Sequence, residues 1–159
     1  MKRRIFAVLL LSLSVECFAA TRIQTEIAVD LAMDEIDYVA GERIRGVVDI
    51  KNMSPNVISV GYPDSRDRFF VEIYRSADMS QLERISNIPF VASFDLKSDQ
   101  GLKLEVLLAA HYGLSTQGRY LARPVLVHGG MRYEGQYRAF DIVSGTDVRE
   151  ALQIFSNEK

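Results

Sequence analysis

The chain has a single cysteine, Cys17, and only two histidines, His111 and His128. Cys17 falls in an N-terminal leader, so the mature chain is expected to carry no disulfide and to be held together by its core alone. Two histidines without cysteine leave a zinc site two ligands short, to be made up from carboxylates, and there is no His-Glu-x-x-His. His128 beside Gly129-Gly130 reads as a solvated hairpin residue, and His111 beside Tyr112 as a hydrogen-bonded structural one. No Gly-x-Ser-x-Gly elbow is present, and no serine sits in a recognisable strand-to-helix turn. No glycine loop is built to cradle phosphate. The sequence therefore predicts no catalytic residue, no metal, no cofactor and no enzymatic activity.

Basic excess is missing as well. The leader, residues 1–19, takes three of the 19 basic and one of the 21 acidic side chains, leaving a mature net charge of −4. That mild acidity disfavours nucleic acid and anionic membrane surfaces as partners. No apolar run reaches the roughly 20 residues that a bilayer requires, so no membrane span is expected in the mature form.

What is present begins with "MKRRIFAVLLLSLSVECFAA". Lys2, Arg3 and Arg4 precede an apolar run over residues 5–13 and then small residues, the anatomy of a secretory signal peptide. Cleavage after Ala19 puts Cys17 and Ala19 in the two positions that must be small, whereas cleavage after Ala20 puts Phe18 in one of them. Lipidation of Cys17 is opposed by Glu16, a charge where lipoprotein signals carry a small residue. The expectation is a periplasmic or secreted protein of bacterial type: a signal peptide over 1–19, then one domain over 20–159, a length that suits a single core.

Strand signals dominate the mature part. "TEIAVDLAM" alternates Ile27, Val29 and Leu31 against Glu26, Ala28 and Asp30, the period of a sheet with one buried face. "RIRGVVDIKN" repeats the pattern and ends at Asn52 and the Ser54-Pro55-Asn56 turn. "VISV", "RFFVEIY", a brief "QLERI", "PFVASFDL", "LKLEVLLA", "RYLARPVLVH" and "RYEGQYRAFDIV" follow, with Gly129-Gly130 as a hairpin turn between the last two. About eight short strands near ten-residue spacing predict an all-β, antiparallel, immunoglobulin-like sandwich. At the C-terminus Thr146 as a cap, with Val148, Ala151, Leu152 and Phe155 at helical spacing, predicts a short helix.

The stretch "HYGLSTQGRYLARPVLV" carries the sandwich's corner. Gly118 permits a tight turn and Tyr120 opens the penultimate strand. Two residues on, Ala122 stands where antibody domains place a cysteine. A tyrosine there folds over the crossing loop and bonds backbone a few residues upstream, with Tyr112 and Leu114 supplying backbone and packing. Tyr120, Gly118, Tyr112 and Asn52 are accordingly read as structural.

"YVAGERIRGVVDIKNMSPNVISV" followed by "LAAHYGLSTQGRYLARPVLV" resembles bacterial secreted immunoglobulin-like domains, over about half the mature chain. The bacterial proteinase-inhibitor domain and the sandwich domain preceding deuterolysin-type metalloproteases look similar. The matching positions are Tyr38, Gly41, Glu42, Asn52, Ser54, Tyr112, Leu114, Gly118 and Tyr120. These are turn and packing residues, so the resemblance implies a fold and says little of activity. The protease's zinc-binding helix has no counterpart here, and its activity does not carry over.

Two clusters remain. Asp30, Asp34, Glu35, Asp37 and Glu42 crowd one segment, but without Asp-x-Asp-x-Asp-Gly spacing they read as solvated loop carboxylates rather than a calcium site. In "MRYEGQYRAFDIV", inward Phe140 and Ile142 leave Tyr133 and Tyr137 together on the other face, with Arg119 and Arg123 on the neighbouring strand. Tyrosine with arginine suits protein-binding hot spots and sugar platforms; an ordinary wet sheet face is the plainer reading. The function expected is binding to an envelope or extracellular protein. The alternatives are a proteinase inhibitor working through "GYPDSRDRF" and "HGGMRY", and a glycan binder working through Tyr133 and Tyr137.

Overall fold

The computed structural model describes residues 26–63 and 65–145. In chain order the strands are β1 (Ile27–Met33), β2 (Asp37–Val39), β3 (Arg45–Asn52), β4 (Ile58–Val60), β5 (Arg68–Arg75), β6 (Phe94–Leu96), β7 (Gly101–Leu107), β8 (Gly118–His128), β9 (Met131–Glu134) and β10 (Arg138–Val143). One 3₁₀ turn, Leu108–Ala110, follows β7. The C-terminal helix expected over residues 146–155 lies outside the described residues.

The chain is an all-β sandwich. One layer is β1-β3-β7, antiparallel throughout. The other is β2-β10-β8-β5, with β9 also paired to β8. A small pair, β4-β6, stands beside them. Alternation drives the layering: Leu31, Val48, Ile50 and Val106 from the first layer meet Val71, Ile73, Ala122, Phe140 and Ile142 from the second, all buried. Each such side chain contributes about 1.5–3 kcal/mol by leaving water. Tyr120 stacks on Phe140 at 5.5 Å, and Tyr38 meets the same ring edge-on at 5.9 Å.

The corner is tied by backbone bonds. The Tyr120 hydroxyl donates to the Thr116 carbonyl at 2.8 Å, four residues upstream. Gly118 holds φ of 143°, which favours glycine. The Tyr112 hydroxyl donates to the Val71 carbonyl and so fastens the same loop to β5. Buried Asn52 donates to the Asn56 and Leu96 carbonyls, and its own oxygen accepts from the Ser54 amide and hydroxyl. It thereby pins the turn after β3 to β6.

Four expectations about strands change. "RYEGQYRAFDIV" is two strands, not one, because Gly135 passes so close to its neighbours that a Cβ there would lie 2.5 Å from the Val29 carbonyl and 2.6 Å from Pro124. "PFVASFDL" is a strand only over Phe94–Leu96, and Ala92 is exposed. "QLERI" makes only an isolated bridge, Tyr74 to Gln81. The acidic segment, read as loop, contains β2, which pairs parallel with β10. Gly129 and Gly130, at φ of 58° and 81°, form the two-residue turn of the β8–β9 hairpin.

Candidate functional site

Strand β5 presents two surfaces. Phe70, Glu72 and Tyr74 face outward, away from the core. The β5–β8 register sets Glu72 opposite Arg123, and Val125 of β8 lies opposite Glu134 of β9. From this register one polar network follows. Arg123 reaches Glu72 at 2.7 Å and Glu134 at 2.6 Å, and Arg132 reaches Glu72 at 3.0 Å and Glu134 at 2.9 Å. The Tyr74 hydroxyl donates to Glu72 at 2.9 Å. The Arg123 guanidinium lies 4.9 Å from the Tyr137 ring, and Tyr74 meets that ring edge-on at 5.7 Å. Burial on its own would raise the Glu72 carboxyl, but hydrogen bonds from Arg123, Arg132 and Tyr74 outweigh it and hold the group below its usual range. Glu72 is only 6% exposed, and Val125 is fully buried although it points away from the core. Two arginines and two glutamates satisfy one another and roof an apolar side chain.

The expected aromatic-basic face is therefore real only in part. Arg123 and Tyr137 come together, and Tyr74 joins them. Tyr133 does not: it pairs with buried Leu126 and packs against the core. The break at Gly135 resets the alternation, so Tyr133 and Tyr137 are on opposite faces and form no common platform. Arg119 is mostly exposed and its nearest acid is Asp141, at 4.0 Å. The acidic segment is likewise dispersed. Asp30 accepts from Arg138, which also donates to the Leu31 carbonyl and so bridges the two layers. Glu42 accepts from the Val39 amide. Among the described residues no three His, Cys, Asp or Glu gather as metal donors.

Both histidines differ from expectation. His128 is not a free hairpin residue: its Nδ1 is 2.5 Å from Asp67, whose other oxygen accepts from the Gly129 amide at 3.1 Å. Asp67 thus joins the loop before β5 to the β8–β9 turn, the two segments singled out as inhibitor loops. His111 is buried, stacked on Phe90 at 3.9 Å, and its Nδ1 lacks a hydrogen-bond partner. Desolvation, reinforced by the nearby Arg84 charge, lowers its pKa and keeps it neutral.

The second surface of β5 is its free edge, and beside it runs a groove of about 770 Å³. One wall is built by Tyr62, Ser65 and Asp67, the other by residues 81–91, with Phe69, Phe90 and Tyr112 between. Phe69 and Phe90 meet edge-on at 6.4 Å, and the Arg84 guanidinium lies 4.6 Å over the Phe90 ring. Arg84 also donates to the Ile88 carbonyl. The same segment carries Ile85 and Ile88, 69% and 67% exposed. Sequence reasoning missed this groove. Its only signal was the pairing of exposed isoleucines with a stretch that alternates too poorly to be a strand.

No family model and no curated relative matches the chain. Among solved structures, the sporulation control protein Spo0M from Bacillus subtilis superposes with a TM-score of 0.50 over 83% of this chain at 13% identity. This chain spans 55% of that one's length. The ASH/PapD-like domain of human CEP192 gives a TM-score of 0.38 at 8% identity, over 76% of this chain and 87% of that domain. At 13% identity the likeness to Spo0M is one of fold. Among the described residues no helix is long and apolar enough to cross a membrane.

Proposed function

We propose that the chain is a non-enzymatic binding module, exported to the periplasm or beyond, that docks on an envelope or extracellular protein through the groove beside β5. The leader over residues 1–19 supports export. The observation that carries the binding reading is the groove itself. Its volume falls within the range of ligand sites, and its walls combine aromatic rings with a few polar groups. Ile85 and Ile88 keep large apolar side chains in water on the same segment, a cost that a partner's surface would relieve. The arginine–glutamate roof over Val125 spends its charges internally and offers a ligand little. The test is a differential pull-down from the protein's own envelope extract with wild type and an Ile85→Asp/Ile88→Asp variant. A partner retained by wild type and lost by the variant is the expected result. Equal retention by both, or hydrolytic turnover by the purified chain, would overturn the reading.

A second reading has one observation behind it. Asp67 binds residues 61–69 and 128–133 into a single unit, the rigid presentation that a loop-inserting proteinase inhibitor needs. Asp67→Ala should then abolish inhibition of a susceptible proteinase; a panel of proteinases left unaffected by wild type removes this alternative.

A further inference from the structure

The backbone along the groove says what kind of partner fits, given that the groove is a binding site. After β5 the chain doubles back, and the Arg75 amide donates to the Ser80 carbonyl at 2.9 Å while the Leu82 amide donates to the Ile73 carbonyl at 2.8 Å. Beyond Leu82 the returning segment peels away: the Ile85 amide donates instead to the His111 carbonyl, at 2.9 Å. The groove is the gap that this divergence opens, because β5 residues line one side and residues 81–84 the other.

Strand geometry then fixes which backbone groups look into the gap. The polar groups of successive residues in an antiparallel strand alternate in direction. Ile73 and Arg75 bond the returning segment, so Val71 and Phe69 face the same edge. Two further observations agree. Val71 stands opposite Pro124 in β8, and a proline has no N–H to give to a pairing partner. The Val71 carbonyl takes the Tyr112 hydroxyl from the groove side. The Phe69 and Val71 amides and the Phe69 carbonyl are thus aimed into the groove, about 7 Å apart along the strand. Nothing among the described residues closes this edge as residues 80–82 close it further along. Unpaired edges of this kind are templates for an added strand.

We propose that the groove takes an extended segment of a second protein, which adds to β5 as an extra strand by bonding the Phe69 and Val71 backbone. Main-chain bonds supply the affinity and alternate side chains the selectivity. Side chains on one face of the added strand meet Phe69, Leu82, Phe90 and Tyr112, so the segment carries apolar residues at alternate positions. Asp67 and Glu83 balance Arg68 and Arg84 along the walls, which favours a segment of low net charge.

The test starts from a random peptide library selected on the purified mature chain, with the best-enriched peptide synthesised as probe. In the free protein the Phe69 and Val71 amides should exchange with solvent about tenfold or more faster than those of Phe70 and Glu72, which bond to β8. Saturating peptide should slow Phe69 and Val71 by a similar factor and leave Phe70 and Glu72 unchanged. Methylating the peptide's own amides one at a time should weaken binding about tenfold or more at alternate positions only, with the protein left intact. Failure to enrich any peptide, equal exchange at all four residues, or methylation effects without alternation would each overturn strand addition. A partner that still depends on Ile85 and Ile88 in the pull-down would leave the binding-module reading standing in those cases.

Discussion

One strand, β5, serves two opposite ends. Its outward side chains, Phe70, Glu72 and Tyr74, are covered by arginines from β8 and β9, and every charge there meets an opposite one. Its outer edge, by contrast, leaves backbone groups at Phe69 and Val71 facing a groove. The first surface is closed because side chains of complementary charge sit in register across three strands. The second is open because a returning segment leaves its partner too early. The surface richest in arginine and tyrosine, the residue types that mark binding sites, is therefore the one with least left to bind.

The largest test of this contrast is Glu72→Ala. It would strand Arg123 and Arg132 over Val125 with only Glu134 to share, at a cost of about 3 kcal/mol, the low end for breaking a buried ion pair because Arg132 is half in water. Denaturant unfolding measures it. A loss under about 1 kcal/mol would mean that the network is no better than surface pairs, and that its charges are available to a ligand after all.

Next in size is a titration that separates the two regions by pH. His111, under the groove, has a lowered pKa, so the unfolded chain takes up its proton more readily than the folded one. Its contribution is in full force well above the ordinary value of 6.5 and is lost as pH falls toward the folded value. Glu72 also has a lowered pKa, against an ordinary 4.5, so its contribution persists until pH falls below that value. Between about pH 7 and 5 stability should fall, and His111→Phe should flatten that slope while Glu72→Gln leaves it unchanged. Thermal melts across the range decide the point; a slope unaltered by His111→Phe would detach the groove floor from the titration.

How far the sequence foretells these regions follows from the range of the interactions. Alternation in "TEIAVDLAM" yields β1, and Gly129-Gly130 the hairpin, because both are set by near neighbours. Tyr120 is legible for the same reason: its hydroxyl partner, Thr116, is four residues away. β2 is not, since three residues in an acidic stretch acquire strand geometry only by lying along β10. The break at Gly135 depends on Val29, far off in sequence, and that break is what sends Tyr133 inward. "RFFVEIY" does place Glu72 on the outer face. That it meets Arg123 there is a matter of register, which alternation leaves open. The groove was the least legible, being a property of where backbone stops pairing rather than of residue type.

A smaller effect tests the tie between loop and edge. Tyr112 is pushed up to about 12 by burial, so its hydroxyl stays protonated as a donor to the Val71 carbonyl across the usable pH range. Tyr112→Phe should cost about 1 kcal/mol, the usual net worth of such a bond. It also frees the Val71 carbonyl on the groove side. Peptide affinity measured by calorimetry should therefore hold or rise although stability falls. A loss of affinity in step with stability would mean that the hydroxyl contacts the ligand itself.

The smallest expected effect on stability is the most telling for function. Ile85 and Ile88 bury little, so changing both to aspartate removes almost no apolar contact from the folded chain. Exposed substitutions of this kind shift stability by no more than about 0.5 kcal/mol each. If the same pair meets a partner, two apolar anchors become charges in a desolvated interface, and affinity should fall about a hundredfold or more. The melting curve and the binding curve of one variant thus answer different questions. A flat melt with lost binding places the two isoleucines in the interface. A melt lowered by several degrees shows instead that residues 81–91 brace the sandwich, and the open edge of β5 would then be a by-product of that bracing.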